Sequence, residues 1–463
     1  MSIVYSYFPP AALVAVFLYS IYLMQSPRTA LRGNRLGALT MAVAVILTFH
    51  QYALFMNAAA WTALGVGGIL GLLLAQRAGT LRMPQLVALF NGVGGAASAL
   101  VILACLSAEM TWANRLIASL ALAIGSVTFS GSMAAALKLE GKLSSRPVSF
   151  LGYSQALRIL FVVILVLIVI PVDRVGHVSL YILTVLALVY GWFMALRVGG
   201  ADMPVIISLL NSLSGVAACV SGIAMDNILT AGVGALVGVA GMILTQIMCR
   251  AMNRDLWAVL SGFTVYSTQK KDAATDEAVA DDRGEESAQG LTQSDIPALL
   301  EKAETVIIVP GYGMALSQAQ QVVKDLMDAL EARGKDVRVA VHPVAGRMPG
   351  HMHVLLAEVG VDYEMLYDMV KINDRFAATD LVVAVGACDV MNPAAATAEG
   401  TPIFGMPILK VSEAKAVIVC NLDAKPGYSG VENTLYTQAH VVTLWGDASV
   451  TVADLKDQLE ALQ

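Results

Sequence analysis

The chain has 463 residues, of which 57 % are apolar and 14 % charged, and its mean hydropathy of +0.69 lies outside the range of ordinary soluble proteins. Charge is split unevenly: residues 1–258 hold 14 Lys/Arg against 6 Asp/Glu, and the remainder 15 against 29. A basic, charge-poor front joined to an acidic back excludes a secreted disulfide scaffold, a soluble single-domain enzyme and a basic nucleic-acid binder; the five cysteines, with no C-x-x-C pair, indicate neither a disulfide framework nor a zinc site.

Nine apolar runs, at roughly 8–24, 36–56, 59–75, 85–107, 113–137, 157–172, 177–196, 203–224 and 228–249, are long enough to span a hydrocarbon layer of ~30 Å. Counting Lys/Arg in alternate loops places twelve on one side and only Arg115 and Arg174 on the other. The positive-inside rule then predicts an outside N-terminus and a cytoplasmic C-terminal domain. No basic n-region or small-residue cleavage site precedes the first run, so no removable signal or transit peptide is expected.

Two of these runs resemble each other. Met83-Pro84 opens MPQLVALFNGVGGAA and Met203-Pro204 opens MPVIISLLNSLSGVAA, matching at Leu89/Leu209, Asn91/Asn211, Gly95/Gly215 and Ala97/Ala217. An amide in hydrocarbon needs a partner or a wet cavity, so Asn91 and Asn211 either bridge helices or face each other across a polar path. His50 is the only histidine in the body of a span, His177 standing at the very start of the seventh run, and imidazole suits either a proton relay or a hydrogen bond near the interface. Asp202, just before the eighth span, reads locally as a loop charge, with a group at the cytoplasmic mouth of a proton path as the alternative.

Residues 268–295 are polar, acidic and free of aromatics, the composition of a tether. The expected division is a membrane domain over 1–258, an acidic flexible linker over 259–297 and a third unit over 298–463. That unit alternates β-branched runs at 305–309, 337–341, 381–385, 408–411, 417–420 and 441–444 with helical patterns. One helix is expected over Ser317–Ala332, with Gly334 just beyond its end. Continuous apolar strands separated by helices predict a parallel sheet covered on both faces, with ligands beyond the strands' carboxyl ends.

The motifs fall at those ends. Gly311-x-Gly313 follows a strand and precedes a helix, where glycines let backbone approach a pyrophosphate, although Leu316 stands at the third glycine of the usual fingerprint. After the second strand, HPVAGRMPGH supplies glycines and one arginine but no acid to take a ribose. GACDVMNPAA follows the next strand with Asp389 and Asn392. His351 and His353 read as solvated loop histidines, because no carboxylate or cysteine ligand set accompanies them. Together these predict an α-helical membrane domain of about nine transmembrane helices plus an α/β Rossmann-like parallel-sheet nucleotide-binding domain.

PGYGMALSQAQ, HPVAGRMPGHMHVLLAE, INDRFAATD, GACDVMNPAA and KPGYSGVEN, in this order behind nine spans, closely resemble the beta subunit of proton-translocating NAD(P) transhydrogenase. The resemblance covers essentially the whole chain, including GGADMPV and CRAMNR at 249–254. It implies that 1–258 is a proton-translocating domain and 298–463 binds NADP(H). A partner alpha subunit would carry NAD(H) and further membrane helices. Hydride would pass directly between the two nicotinamides as a proton crosses, inward flow driving reduction of NADP+ by NADH. A bacterial cytoplasmic membrane and a dimer of alpha–beta units are also implied, with no resident metal and no nucleic-acid partner.

By the same resemblance, nucleotide-contacting positions are Gly311, Tyr312, Gly313 and Ala315; Val344, Ala345, Gly346, Arg347, Met348, Pro349 and Gly350; and Gly386, Ala387, Cys388, Asp389, Val390 and Asn392. Gly405, Met406, Lys425, Pro426, Gly427, Tyr428, Asp447 and Ala448 complete the set. Asp389 matches the acid that links nucleotide state to protonation, and Tyr312 joins it in the catalytic role. The proton path maps onto His50, Asn91, Asn211 and Asp202. Some family members carry the channel histidine where this chain has Asn91; others, like this one, have asparagine there and a histidine in an earlier helix.

One departure stands out. Where the family has Lys-Arg-Ser to hold the 2′-phosphate of NADP, this chain reads Asn421-Leu422-Asp423. A 2′-phosphate needs cationic or fork-like donors, so Lys425 or Arg347 must compensate or the site prefers NAD(H). The rival reading of the whole chain is a transporter or channel gated by a nucleotide, favoured by the internal repeat.

Overall fold

The computed structural model describes residues 2–77, 83–105, 111–144, 147–148, 152–169, 178–199, 202–252, 255–261, 290–346, 350–401, 403–427 and 429–462. They form two compact units, Met1–Gln246 and Ile247–Gln463. The first is helical: α1 (Ser2–Met24), α2 (Pro27–Gln51), α3 (Ala58–Gln76), α4 (Met83–Cys105), α5 (Trp112–Leu139), α6 (Tyr153–Val169), α7 (Val178–Arg197), α8 (Met203–Ala224) and α9 (Ile228–Ala251). Seven of these are long and apolar enough to cross a membrane; α6 and the apolar part of α1, Phe8–Met24, are shorter. The second run was expected over 36–56, yet α2 starts at Pro27 and stops at Gln51. Proline at the first helical position needs no amide donor there, so the helix takes in Arg28, Arg32 and Arg35. Ala53, with φ of 53°, turns the chain, and Asn57 caps α3 by accepting from the amides of Ala59 and Ala60.

Small residues set the helix spacing. A Cβ on Gly125 would lie 2.6 Å from the Gly95 carbonyl, and one on Gly191 2.3 Å from that of Val127, so α4 and α7 approach α5 backbone to backbone. Likewise α8 meets α9 at Gly215, whose Cβ would stand 2.4 Å from the Gly238 nitrogen. The Ser212 hydroxyl donates to the Gly238 carbonyl at 2.6 Å, and Thr245 to Ser208 at 3.0 Å. Hydroxyls buried between helices in hydrocarbon find partners in the backbone or in each other, as Ser212 and Thr245 do.

In the second unit come α10 (Leu256–Ser261), α11 (Ile296–Lys302), β1 (Thr305–Pro310), α12 (Tyr312–Leu316), α13 (Gln320–Ala332), β2 (Asp336–Val341), α14 (His351–Glu358), β3 (Leu366–Asp368), α15 (Met369–Ile372), β4 (Leu381–Val385), β5 (Val417–Asn421), β6 (Val441–Trp445) and α16 (Ala448–Glu460). The strands form one parallel sheet ordered β3-β2-β1-β4-β5-β6, in register at Val306↔Val337 and Val306↔Leu381. Alternate strand residues face opposite sides. Ile307, Val309, Val382, Ala384, Val417 and Val419 join Phe376, Leu409 and Leu435 in one core. The capping box at Thr292 and the buried Ile296 of α11 fall inside the stretch read from sequence as linker. Residues 262–289 lie outside the described residues.

Three expectations differ. Residues 408–411 form no strand: Leu409 donates to the Val390 carbonyl, and Asn373 brackets the segment by bonding the Ile408 carbonyl and the Lys410 amide. The third strand is instead the edge segment Leu366–Asp368, too short to show a periodicity. The helix expected over Ser317–Ala332 starts only at Gln320, because Gln318 has φ of 55°, and the short α12 ends before it at Leu316. Gly334, with φ of 76°, does end α13 as expected.

Candidate functional site

Between β1 and β4 the strand order reverses, the switch point at which such sheets take their ligands, and the loops leaving those two strands meet. The glycines expected there are used by the protein itself. A Cβ on Gly311 would lie 2.1 Å from the Gly386 carbonyl oxygen, and one on Gly386 2.1 Å from the Met314 amide. The Gly313 amide donates to the Gly386 carbonyl at 2.9 Å, and that of Gly311 to Val385 at 2.8 Å. The two loops are thus fastened to each other, and their outer edge carries backbone and half-buried Tyr312. Ala315 and Ala387 are buried beneath it.

The loop after β4 is in turn tied to the chain after β5. Asp389 accepts from the Ser429 hydroxyl at 2.7 Å and its amide at 2.9 Å. Asn392, wholly buried, donates to the Glu432 carbonyl and accepts from Ala394 and Thr434 amides. Asn433 donates to the Cys388 carbonyl. Burial and the adjacent Asp389 push the Cys388 thiol up, so it stays protonated. Val390 meets the core that also holds Leu409.

His342 was missed as a functional group by the sequence reading. Buried at the end of β2, it donates through Nε2 to the Pro407 carbonyl at 2.8 Å and accepts through Nδ1 from the Val344 amide at 3.2 Å. This single ring joins the Val344–Gly346 stretch to the Gly405-Met406 turn, which is itself held by the Gly405 amide on Ala395. Burial keeps the imidazole neutral by pushing its pKa down to about 4. The available signal was a histidine immediately beyond an apolar strand. His351 and His353 are not solvated loop residues: both lie in α14, His351 is buried, and a Cβ on Gly346 would reach its Nδ1 at 2.4 Å. Burial also lowers the pKa of His353. Gly346 and Gly350 have φ of 97° and 73°, left-handed conformations that suit glycine. Arg347, Met348, Pro349 and Tyr428 lie outside the described residues.

At the end of β5 the side chain of Asn421 turns inward, donating to the Ala387 carbonyl and to the Tyr436 hydroxyl, each at 2.8 Å. Burial and Cys388 raise the Tyr436 phenol well above its usual value, keeping it protonated. Leu422 is 69 % exposed. Asp423 pairs with Lys425, carboxylate to ammonium at 3.0 Å and to its amide at 3.1 Å. Pro426 and Gly427 continue this loop. A Cβ on Gly427 would meet the Asp389 carboxylate at 2.7 Å. Asp447 caps α16 by accepting from the amide and hydroxyl of Ser449, which lower its pKa, and Ala448 opens that helix. The glycine-lined edge suits the pyrophosphate of a dinucleotide; the Asn421–Lys425 loop offers a 2′-phosphate no uncommitted cation among its described residues.

In the helical unit Asn91 is buried in α4 and donates to the Ile207 carbonyl of α8 at 3.4 Å, one turn before half-buried Asn211. The two copies of the repeat therefore lie on helices packed against each other. A cleft of about 570 Å³ lies beside them, lined in part by Thr48, Phe49, Gly94, Ser214 and Thr230. His50, next along α2, is exposed on this chain. Asp202 is buried immediately before α8, not a solvated loop charge, and nearby Lys138 donates to the Leu196 and Val198 carbonyls.

These features define a multi-span membrane protein that carries a doubly wound, dinucleotide-type sheet domain. A family model described as NAD(P) transhydrogenase beta subunit matches residues 8–458. The NAD(P) transhydrogenase subunit beta of Rhodospirillum rubrum is 38 % identical over 445 residues, covering 94 % of each chain, and a second sequence of that name from the same species matches equally. The chain belongs to the NAD(P) transhydrogenase beta subunit family.

Proposed function

We propose that this chain is the proton-translocating, NADP(H)-side subunit of a Re/Si-specific transhydrogenase. It would act with an alpha partner that holds NAD(H), two alpha–beta units pairing. The observation that carries this reading is the switch point between β1 and β4, with its fastened glycine loops, in a chain that also has a bundle of apolar helices. We assign proton translocation to 1–258, tethering to the linker that ends before the Thr292 capping box, and nucleotide binding to the domain that follows. The setting is a bacterial cytoplasmic membrane, with the N-terminus outside and the sheet domain cytoplasmic.

A nicotinamide dinucleotide, when bound, supplies the carbon that gives or takes hydride. No acid–base side chain is needed at that carbon; the chain's task is to bind, align and exclude water. His342, Asn392 and Asn433 brace the edge, with Tyr312 and the Gly311–Gly313 backbone along its rim. Asp389 links this edge to protonation: a neutral carboxyl would accept more weakly from Ser429 and release the 425–430 loop. His50, Asn91 and Asn211 form the path in the bundle and Asp202 stands at its cytoplasmic end. The link between proton and nucleotide is a coupling free energy and acts in both directions.

Vesicles containing this chain with its alpha partner test the reading. Hydride exchange that needs both subunits and accelerates with an inward proton gradient is the expected result. Exchange by this chain alone, or indifference to the gradient, would sink it. The repeat on α4 and α8 favours a nucleotide-gated transporter as the second reading; ion flux with no redox exchange in the same vesicles would select it.

A further inference from the structure

The order β3-β2-β1-β4-β5-β6 consists of two halves, so β5 holds in the second half the place that β2 holds in the first. In doubly wound dinucleotide folds, the residues just beyond such a strand meet the adenosine ribose: an acid accepts from the ribose hydroxyls, and a cation takes a 2′-phosphate. Beyond β2 stands His342, both ring nitrogens already bonded within the protein. Beyond β5, Asn421 is buried and committed inward, Leu422 has no polar group, and the next charges are Asp423 and Lys425.

We propose that Asp423 sets the nucleotide specificity of this domain by occupying Lys425, so that dinucleotides with and without a 2′-phosphate bind with similar affinity. This rests on the reading of the sheet's carboxyl edge as a dinucleotide site. Residues 386–396 and 421–433 contain three acids, Asp389, Asp423 and Glu432, and one cation, Lys425. A 2′-phosphate approaching there meets a paired ammonium in an acidic surround instead of an open positive charge. The Lys425 side chain is 83 % exposed, and an exposed ion pair is weak, so the phosphate can displace Asp423 but must then sit beside that carboxylate's negative charge. A ribose with a free 2′-hydroxyl offers donors that the Asp423 carboxylate accepts. The same acid thus weakens one nucleotide and serves the other.

The test titrates the full-length chain in detergent with NADPH and with NADH at low and high salt, for the native protein, Asp423→Asn and Asp423→Asn/Lys425→Met. The native protein is expected to bind the two within about tenfold of each other. Asp423→Asn should tighten NADPH by about tenfold, weaken NADH, and make NADPH binding more sensitive to salt. Adding Lys425→Met should abolish the gain. A native preference for NADPH of about a hundredfold, or an unchanged ratio in Asp423→Asn, overturns the specificity proposal and leaves the dinucleotide site standing. Failure of every variant to bind either nucleotide overturns both.

Discussion

Asp389 holds Ser429 twice, through its hydroxyl at 2.7 Å and its amide at 2.9 Å, so the loop after β4 fixes the loop after β5. Gly427 lies so close beneath that no side chain fits between it and the carboxylate. Two segments 40 residues apart in sequence thereby become one ledge at the carboxyl edge of the sheet.

Removing one arm of this clasp should loosen the nucleotide without unfolding the domain. Ser429→Ala keeps the amide bond and loses the hydroxyl bond to a charged acceptor, a contribution of roughly 1.5–3 kcal/mol. Dissociation constants for either dinucleotide should rise about tenfold, and the thermal midpoint should fall by several degrees with the domain still folded. Gly427→Ala should be worse, because its Cβ presses on Asp389 itself. Wild-type affinity in Ser429→Ala would show that the clasp does not shape the site.

The glycines of the switch point should divide by geometry. Gly386 has φ of 64° and a would-be Cβ 2.1 Å from a backbone nitrogen, so Gly386→Ala must force β4 away from α12. A loss of about 3 kcal/mol or more is expected. Gly400, with φ of 77° but open space around its Cβ position, should cost only about 1–2 kcal/mol on the same change. Thermal unfolding of the two variants checks the contrast; equal losses would refute it.

Much of this architecture was legible in the sequence because long apolar runs and β-branched strands are read one residue at a time. All nine apolar helices of the described residues and five of the six strands left such local marks. Leu366–Asp368 did not, since three residues at a sheet edge show no alternation, and Ile408–Val411 was misread because buried Leu409 and Val411 mimic a strand while their backbone bonds elsewhere. The glycine motifs could be located, but not the reason for them: the close approach of Gly311 to Gly386 joins positions 75 residues apart. His342 escaped for the same cause, and Asn421, legible only as a departure from the family's Lys-Arg-Ser, gave no sign of turning inward. Their partners, Pro407 for one and Ala387 with Tyr436 for the other, are distant in the chain, and no local pattern announces them.

The stability of the sheet domain should fall with acid in a defined window. His342 has a folded-state pKa depressed to about 4, against an ordinary value of 6.5, so the unfolded chain binds the proton first. Stability is fully present above about pH 6.5 and declines as pH drops towards 4, the unfolded state taking up a proton that the buried ring refuses. His353 is shifted in the same direction by burial and adds to the slope. His342→Gln should lower stability at pH 7 by breaking the link between Val344 and Pro407, yet flatten the decline between pH 6.5 and 4. Denaturant unfolding across that range measures both. An undiminished slope in the variant would place the titrating group elsewhere.

In the helical unit, Asn91 and His50 sit in different surroundings but their variants should fail alike. Asn91 is buried and its amide reaches the Ile207 carbonyl across the α4–α8 contact, so Asn91→Leu removes a polar atom from between two helices while roughly keeping volume. The helices should still assemble, because Gly95 continues to hold α4 against α5 and Gly215 to hold α8 against α9. His50 is exposed on this chain while its neighbour Phe49 is buried, edge-on to Trp61 at 4.9 Å, so His50→Gln leaves the packing of α2 untouched. Both variants should retain nucleotide binding and lose at least about tenfold of the gradient-driven rate in vesicles that also contain the partner subunit. Retention of the full gradient response by Asn91→Leu would mean that its amide only bridges helices and that the proton passes by another route.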